Sequence, residues 1–486
     1  MSIFEQYGLE RSAITGITED SRKVQKGFVF AALPGSRADG RKYIDAAIHN
    51  GASVIISTPD AQVPKGVTFI PDEHPRRILS LMAAAFYGAQ PETIIAVTGT
   101  NGKTSTVSFV EQIWDALGYK SVSLGTLGLR GKELKRTGVS MTTPDPVSLM
   151  ADLADLRAAG VTHVAMEASS HGLDQFRLDG VQIAAAGFTN LSRDHLDYHG
   201  TMEKYLEAKA RLFTDVLPEG APAIINADSL VCAELSGAIR TAKRTIVTYG
   251  KKPGDIHIKS LRAVPSGQDI ELSINDRTYA LHVPFIGYFQ LKNLLCAIGL
   301  VVAAAGKGLD NKAFLESIFD VVPKLQSPPG RLQFVPGHPK GAGVYVDYAH
   351  TPAALETVLN AVRPHITGRL FCVFGCGGDR DKGKRPMMGK IAAENADMVI
   401  VTDDNPRSED AAQIRREILE GAPNAPENVS EIDERAAAIT KAIQDLKEGD
   451  VLVIAGKGHE QGQIIQDKTI PFDDVSVAAD AIAHLT

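Results

Sequence analysis

Along this chain, short β-branched runs alternate with stretches whose apolar positions recur every three or four residues, the pattern of strands alternating with amphipathic helices. In the first segment, residues 1–88, the runs Gly27–Leu33 and Ala52–Ile56 predict strands. Pro75–Tyr87, with proline at a first helical position, predicts a helix. Gly88-Ala-Gln-Pro91 reads as a linker. In the second segment, 89–329, strands are predicted at Thr93–Thr98, Val161–Met166 and Ile183–Phe188, and a helix begins at Asp145-Pro146. In the third, 330–486, they are predicted at Val344–Asp347, Leu370–Phe374, Met398–Val401 and Val451–Ala455. Such alternation implies α/β architecture with largely parallel sheets.

The sharpest local feature follows the strand at Thr93–Thr98. An apolar run ends in a glycine turn, and Gly99-Thr100-Asn101-Gly102-Lys103-Thr104-Ser105 leads into a helical pattern carried by Val107, Val110, Trp114 and Leu117. Backbone N–H groups and the positive end of a helix dipole suit a phosphate there. Lys103 can reach terminal phosphates, and the Thr104 hydroxyl can hold Mg²⁺. The spacing departs from the common P-loop, whose first glycine would fall at Val97.

Other candidates sit where predicted strands end. Glu167 follows Val161–Met166, at the carboxyl edge where open α/β sheets bind ligands. It is either a Mg²⁺ ligand or a strand-end salt-bridge partner. Thr189-Asn190, Asp194, His195, Asp197 and His199 follow Ile183–Phe188, a density of ligand-type side chains that suggests a second cation or phosphate contact. In the next helix Met202, Tyr205, Leu206, Leu212 and Phe213 form an apolar stripe, and Lys209 lies on it. An inward lysine is paired, modified or snorkelling to an edge; burial would lower its pKa. Three polar loops, Gly375–Arg385, Thr402–Arg407 and Gly456–Glu460, each follow a predicted strand and would converge on one crevice of a parallel sheet. Asp20-Ser21-Arg22 and Gly35–Gly40 are polar turns that either contact a ligand or are ordinary loops.

Composition narrows the class. A chain of 486 residues suggests two to four domains, and 44% hydrophobic with 22% charged residues describes a soluble globular protein. A net charge of −7 provides no global basic field for nucleic acid, so an anionic substrate needs local Lys and Arg clusters. Cys232, Cys296, Cys372 and Cys376 show no metal-ligand spacing, and Cys372 and Cys376 bracket an apolar strand as small hydrophobes. No basic-then-apolar segment opens the chain and no run spans a bilayer, so the expectation is a soluble protein in the reducing cytoplasm, without membrane insertion.

Six motifs occur together: Thr98–Ser105, Met166–Leu173, Asp194–Gly200, Ala208–Phe213, Gly330–Leu332 and Asp404–Arg407. On these the chain resembles the Mur ligase family, in its muramoyl-tripeptide-synthetase branch, over essentially its whole length. The resemblance implies three α/β domains: a mixed α/β UDP-sugar-binding domain at 1–88, a P-loop-like ATPase domain with a largely parallel sheet at 89–329, and a Rossmann-like amino-acid-binding domain at 330–486. It also implies the reaction. ATP phosphorylates the D-Glu γ-carboxylate of UDP-MurNAc-L-Ala-D-Glu, the amine of meso-diaminopimelate attacks the acyl phosphate, and ADP and phosphate leave, a step of peptidoglycan precursor synthesis. By the same resemblance, Lys103 and the loop Gly99–Ser105 hold ATP, and Asn293, Arg331 and Asp347 hold the rest of the nucleotide. Thr104 and Glu167 surround one Mg²⁺; His195 and Lys209, the latter as a CO₂-derived carbamate (N6-carboxylysine), serve a second. Glu19, Ser21, Ser36, Arg37 and Ala38 match UDP-sugar contacts, and Met141, Thr142, Thr143, Ser169, Gln175 and Arg177 match muramoyl-dipeptide contacts. Arg380, Asp404, Asn405, Pro406, Arg407, Gly456 and Glu460 match the diaminopimelate pocket, and a monomer is expected.

Two positions depart from the pattern. Phe289-Gln290 replaces the His-Asn often found ahead of Asn293, and Met141 stands where some members carry Asn. The competing expectations are the L-lysine-adding ligase of the same family, a folylpolyglutamate synthetase, and a P-loop nucleotide switch without amide chemistry. Arg407 favours meso-diaminopimelate over L-lysine, because a second carboxylate asks for a planar, bidentate cation.

Overall fold

The computed structural model describes residues 3–35, 39–132, 134–136, 141–422 and 427–485. Residues 1–257 with 295–318 form one compact unit, and 258–294 with 319–486 form another.

The first unit begins with a four-stranded parallel sheet in the order Gly16–Thr18, Phe28–Ala31, Ala52–Ser57, Thr68–Pro71. The helix Pro75–Tyr87 starts at its proline and buries Ile78, Leu79 and Met82 against Val29, Val54 and Ile70 of this sheet. A larger parallel array follows, in spatial order Thr245–Gly250, Pro222–Asn226, Ile183–Phe188, Thr93–Thr98, His163–Glu167, Ser121–Gly125. Thr93–Thr98 is central and almost wholly buried, and its β-branched run, broken only by Ala96, suits a strand covered on both faces. Its crossover helix, Lys103–Ala116, leads to one side of the sheet, whereas the chain after His163–Glu167 crosses to the other. The glycine turn at Gly99 therefore stands at a switch point of the sheet, where α/β folds bind ligands.

The second unit contains a six-stranded sheet, Gln333–Val335, Gly343–Asp347, Val451–Ala455, Leu370–Phe374, Met398–Val401, Val429–Glu431. All its pairings are parallel except the first. Apolar clusters cover both faces, one with Leu355, Leu359 and Met388, the other with Ile439, Ile443 and Leu452. Two antiparallel hairpins, Gly267–Ile274 with Arg277–Val283 and Gly462–Ile465 with Lys468–Pro471, were not anticipated from the pattern. Cys372 lies inside its strand; it and Cys376 are buried, and burial pushes both thiols up to about 12. No helix among the described residues is long and apolar enough to cross a membrane.

Candidate active site

In the first unit the site grows from the central strand. Gly99 turns the chain at φ +144°, and a Cβ there would lie 1.9 Å from Thr189 Oγ1, so only glycine permits the close approach. Residues after the neighbouring strand brace the loop: Thr100 N donates to Asn190 O (2.9 Å), Asn101 N to Asn190 Oδ1 (3.0 Å) and Thr189 Oγ1 to Asn101 O (2.6 Å). Thr189 and Asn190, read from the sequence as cation or phosphate contacts, thus fix the shape of the glycine loop. Gly102 caps the helix at φ +89°, leaving the first-turn N–H groups from Lys103 onward at the loop. Lys103 Nζ folds back onto Gly99 O and Thr100 O, both at 2.9 Å.

Glu167 is only 1% exposed and is held on three sides. Its Oε1 accepts from Thr104 Oγ1 (3.0 Å) and Thr126 N (2.9 Å), and its Oε2 from Thr126 Oγ1 (3.1 Å). A Cβ on Gly125 would sit 2.2 Å from Oε1, so the Gly125-Thr126 turn exists in a form that admits this carboxylate. Gly125 and Thr126 carry no sequence pattern of their own; their role appears only when the adjacent strand brings them alongside. A buried carboxylate touching the loop threonine is a hard-oxygen donor pair of the kind Mg²⁺ accepts. No group of three or more His, Cys, Asp or Glu side chains among the described residues forms a ready-made metal cage.

Lys209 does point inward. It is 1% exposed, donates from Nζ to Gly99 O at 2.9 Å and lies 4.3 Å from the Tyr205 ring centroid. Burial first, and the Lys103 charge second, hold its amine well below the ordinary lysine pKa. Two lysines therefore address one carbonyl, Gly99 O, an arrangement that favours a neutral Lys209 over a second ammonium. His195 is 49% exposed, in left-handed conformation at φ +51°, with Nε2 3.5 Å from Asp194 Oδ2. Its ring and Lys209 Nζ both pack toward Tyr205.

The predicted dipeptide residues are linked through Arg177. Its Nη1 donates to Thr143 O (2.6 Å) and contacts Met141 Sδ (3.3 Å), and its Nη2 donates to Gln175 Oε1 (2.7 Å). Thr142 Oγ1 pairs with Thr126 Oγ1 at 3.1 Å, joining this group to the Glu167 cluster. Thr143 spends its hydroxyl on Glu167 O and Ser169 N, and the Ser169 side chain caps the helix at Gly172 N. Glu19 shares a field with Arg177: loss of surrounding solvent raises its pKa first, Asp145 adds to this, and Arg76 and Arg177 oppose it. Ser21 begins a short 3-10 turn capped by Asp20. Ser36, Arg37 and Ala38 lie outside the described residues.

The second unit holds the remaining candidates in two groups. Asp347, buried, accepts from Leu332 N (2.7 Å) and Ala349 N (2.8 Å). Burial pushes its pKa up, while Arg331 and these two N–H groups act against the rise. Arg331 packs over the Tyr348 ring, 4.9 Å from its centroid. The departure at Gln290 has a consequence: its Nε2 donates to Arg331 O (3.0 Å) and its Oε1 accepts from Asn293 Nδ2 (3.0 Å), tying two predicted nucleotide residues together.

The other group stands at the carboxyl edge of the six-stranded sheet, where Asp404, Asn405, Pro406 and Gly456 are buried. Arg407, at φ +51°, donates from Nη1 to Gly378 O (2.8 Å), and its backbone pairs with Ile464 O (3.0 Å) and Gln466 N (2.7 Å) of the Gly462–Pro471 hairpin. Asn405 Nδ2 donates to Glu460 Oε2 at 2.8 Å. Arg380 is exposed, with Nη1 on Asp379 O (3.2 Å). Lys457, within the Gly456–Glu460 segment but not singled out by any sequence pattern, is buried between these loops.

Three family models match the chain. Residues 13–87 match one described as "Mur ligase family, catalytic domain", residues 97–301 the "Mur ligase middle domain", and residues 330–458 "Mur ligase, glutamate ligase domain". The UDP-N-acetylmuramoyl-L-alanyl-D-glutamate–2,6-diaminopimelate ligase of Caulobacter vibrioides is 48% identical over 474 residues, covering 96% of this chain and 95% of its own length. The protein of that name from Brucella melitensis is 49% identical over 471 residues, 97% of this chain and 94% of its own. A solved structure of a ligase with the same name superposes with a TM-score of 0.75 at 36% identity, covering 100% of this chain and 99% of that one.

Proposed function

The chain belongs to the Mur ligase family, and from that premise we propose that it is the ADP-forming ligase that adds meso-diaminopimelate to the D-Glu γ-carboxylate of UDP-MurNAc-L-Ala-D-Glu in peptidoglycan precursor synthesis. The observation that carries the reading is the pairing of a braced phosphate loop with Glu167 in the first unit and a prearranged Asp404–Arg407/Glu460 pocket in the second. A nucleotide switch has no use for the second group. In this reading segments 1–88, 89–329 and 330–486 bind UDP-sugar, ATP and amino acid respectively, and the protein acts as a cytoplasmic monomer.

The chemistry follows from charge. A carboxylate and a γ-phosphate repel, so attack needs fixed cations and donors around both. Lys103 and the amides of Gly99–Ser105 receive the phosphates, and Lys103 exchanges its two loop carbonyls for them. Thr104 and Glu167 would hold one Mg²⁺ and His195 with carbamylated Lys209 a second, which when bound supply charge neutralisation between the two anions. Carbamylation turns the inward amine into an anion, so Lys209 would support that cation instead of repelling it. Met141, Thr142, Thr143, Ser169, Gln175 and Arg177 would hold the dipeptide, Glu19, Ser21, Ser36, Arg37 and Ala38 the UDP-sugar, and Asn293, Arg331 and Asp347 the rest of the nucleotide.

Mass spectrometry of a reaction containing UDP-MurNAc-L-Ala-D-Glu, ATP and Mg²⁺, with meso-diaminopimelate competing against L-lysine, tests the reading. The expected result is the diaminopimelate tripeptide with stoichiometric ADP and phosphate. AMP and pyrophosphate would refute the acyl-phosphate route, and equal lysine incorporation would refute the specificity.

A further inference from the structure

We propose that Lys457 is a positioning residue of the amino-acid pocket, one that presents a single oxygen of Glu460 to the incoming ammonium group. The inference rests on the pocket assignment above and adds a residue to it. After the strand Val451–Ala455 the chain turns at Gly456, φ +113°, and carries the Lys457 side chain into the protein at 0% exposure. A buried ammonium must satisfy three N–H groups. Lys457 finds three acceptors, one on the distant Asp404–Arg407 loop and two on the stretch that follows the lysine: Asn405 Oδ1 at 2.9 Å, Glu460 Oε2 at 3.1 Å and Gly462 O at 2.7 Å.

These bonds determine the geometry around them. Asn405 Oδ1 accepts from Lys457 and from Ile464 N (2.9 Å), which orients the amide so that Nδ2 meets Glu460 Oε2 at 2.8 Å. Glu460 thus receives two donors on Oε2 and, among the described residues, none on Oε1. Its side chain keeps 34% exposure, whereas the lysine beneath it keeps none. One oxygen is anchored and the other remains for a ligand. Asp404 stands at the turn that introduces the lysine: a Cβ on Gly456 would lie 2.6 Å from Asp404 Oδ2. The same lysine fastens the Gly462–Ile465 strand, whose backbone pairs with Arg407, so both ends of a zwitterionic substrate are placed through one ammonium.

Steady-state kinetics on the full chain test this, varying meso-diaminopimelate, ATP and UDP-MurNAc-L-Ala-D-Glu in turn for Lys457→Met, Glu460→Gln and the double variant. Lys457→Met is expected to raise the amino-acid KM by about tenfold or more and to leave the other two KM values within about twofold. The double variant is expected to be no worse than the poorer single, since the lysine acts through the glutamate. Equal losses for all three substrates, or additive losses in the double variant, would overturn the proposal. An unchanged amino-acid KM in Lys457→Met beside a raised one in Glu460→Gln would remove the lysine's role alone. An unchanged KM in Glu460→Gln would remove the pocket assignment, and the proposal with it. Should Lys457→Met not fold, Asn405→Asp keeps the lysine's acceptor and deletes the second donor to Glu460; a selective KM rise supports the proposal and an unchanged KM overturns it.

Discussion

Removing the Arg407 guanidinium should abolish the preference for an amino acid with a second carboxylate. The substitution is clean because both neighbours of the side chain are backbone-defined. Arg407 N donates to Ile464 O and its carbonyl accepts from Gln466 N, bonds that alanine retains. The left-handed φ of +51° is equally unfavourable for arginine and alanine, so no backbone term enters. In the wild-type protein Nη1 is tethered to Gly378 O at 2.8 Å, and no described hydrogen bond engages Nε or Nη2. That edge is available for a bidentate carboxylate. A charge-assisted bond contributes about 1.5–3 kcal/mol, and a half-exposed fork sharing its charge with a carbonyl is expected to supply about 2–3 kcal/mol in total. At 1.4 kcal/mol per tenfold, Arg407→Ala should raise the KM for meso-diaminopimelate roughly 30- to 150-fold. L-lysine, lacking the second carboxylate, should be used as poorly by the variant as by the wild type. The assay is competitive incorporation read by mass spectrometry, with KM values from ADP release. An unchanged diaminopimelate KM, or an equal loss for both amino acids, would refute the reasoning. Gly377→Ala offers an independent check, because its Cβ would lie 2.7 Å from Arg407 Nη1 and should displace the guanidinium, producing the same selective loss.

Lys209→Ala should lose at least about 100-fold in rate and recover part of it with a small carboxylic acid; ¹³C-bicarbonate NMR should show a carbamate resonance that the variant lacks, and full activity in the bare variant would refute the carbamate. For the unmodified lysine, the depressed folded-state pKa means that the unfolded chain binds a proton that the folded one lacks, between that pKa and the free-lysine value of about 10.4. Stability should therefore rise with pH through that window in CO₂-free buffer, and the slope should diminish in Lys209→Met; identical melting profiles would contradict it. Thr126→Val deletes the bond to Glu167 Oε2 while keeping the backbone one, and should raise the Mg²⁺ concentration for half-maximal rate by about tenfold. Arg435 and Asp474 form an ion pair at 0% exposure each, with Arg435 Nη2 also on Ala455 O. Arg435→Met strands a buried carboxylate and should cost about 3–5 kcal/mol in denaturant unfolding; a loss below about 1 kcal/mol would show that the pair is not the brace it looks.

Sequence by itself determined whatever depends on local spacing. The strand Ile183–Phe188, the helix Pro75–Tyr87 and the capped start at Asp145-Pro146 follow from period, cap and proline, and appear at those positions. The inward lysine was legible for the same reason, since one charged residue on an apolar helical stripe breaks a pattern. Tertiary structure decided everything that depends on two distant segments meeting. Gly125 and Thr126 enclose Glu167 only because the strand Ser121–Gly125 pairs in register beside His163–Glu167. Thr189 and Asn190 brace the loop at Gly99 because sheet order, not chain order, makes their strand its neighbour. Gln290 reads as a lost family residue until it is seen between Arg331 and Asn293. Lys457 reads as one more basic loop residue until three acceptors close around it. A periodic pattern records which face of an element is buried; the partner of a buried polar group is set by the packing of other elements, and a single sequence carries no periodicity for that.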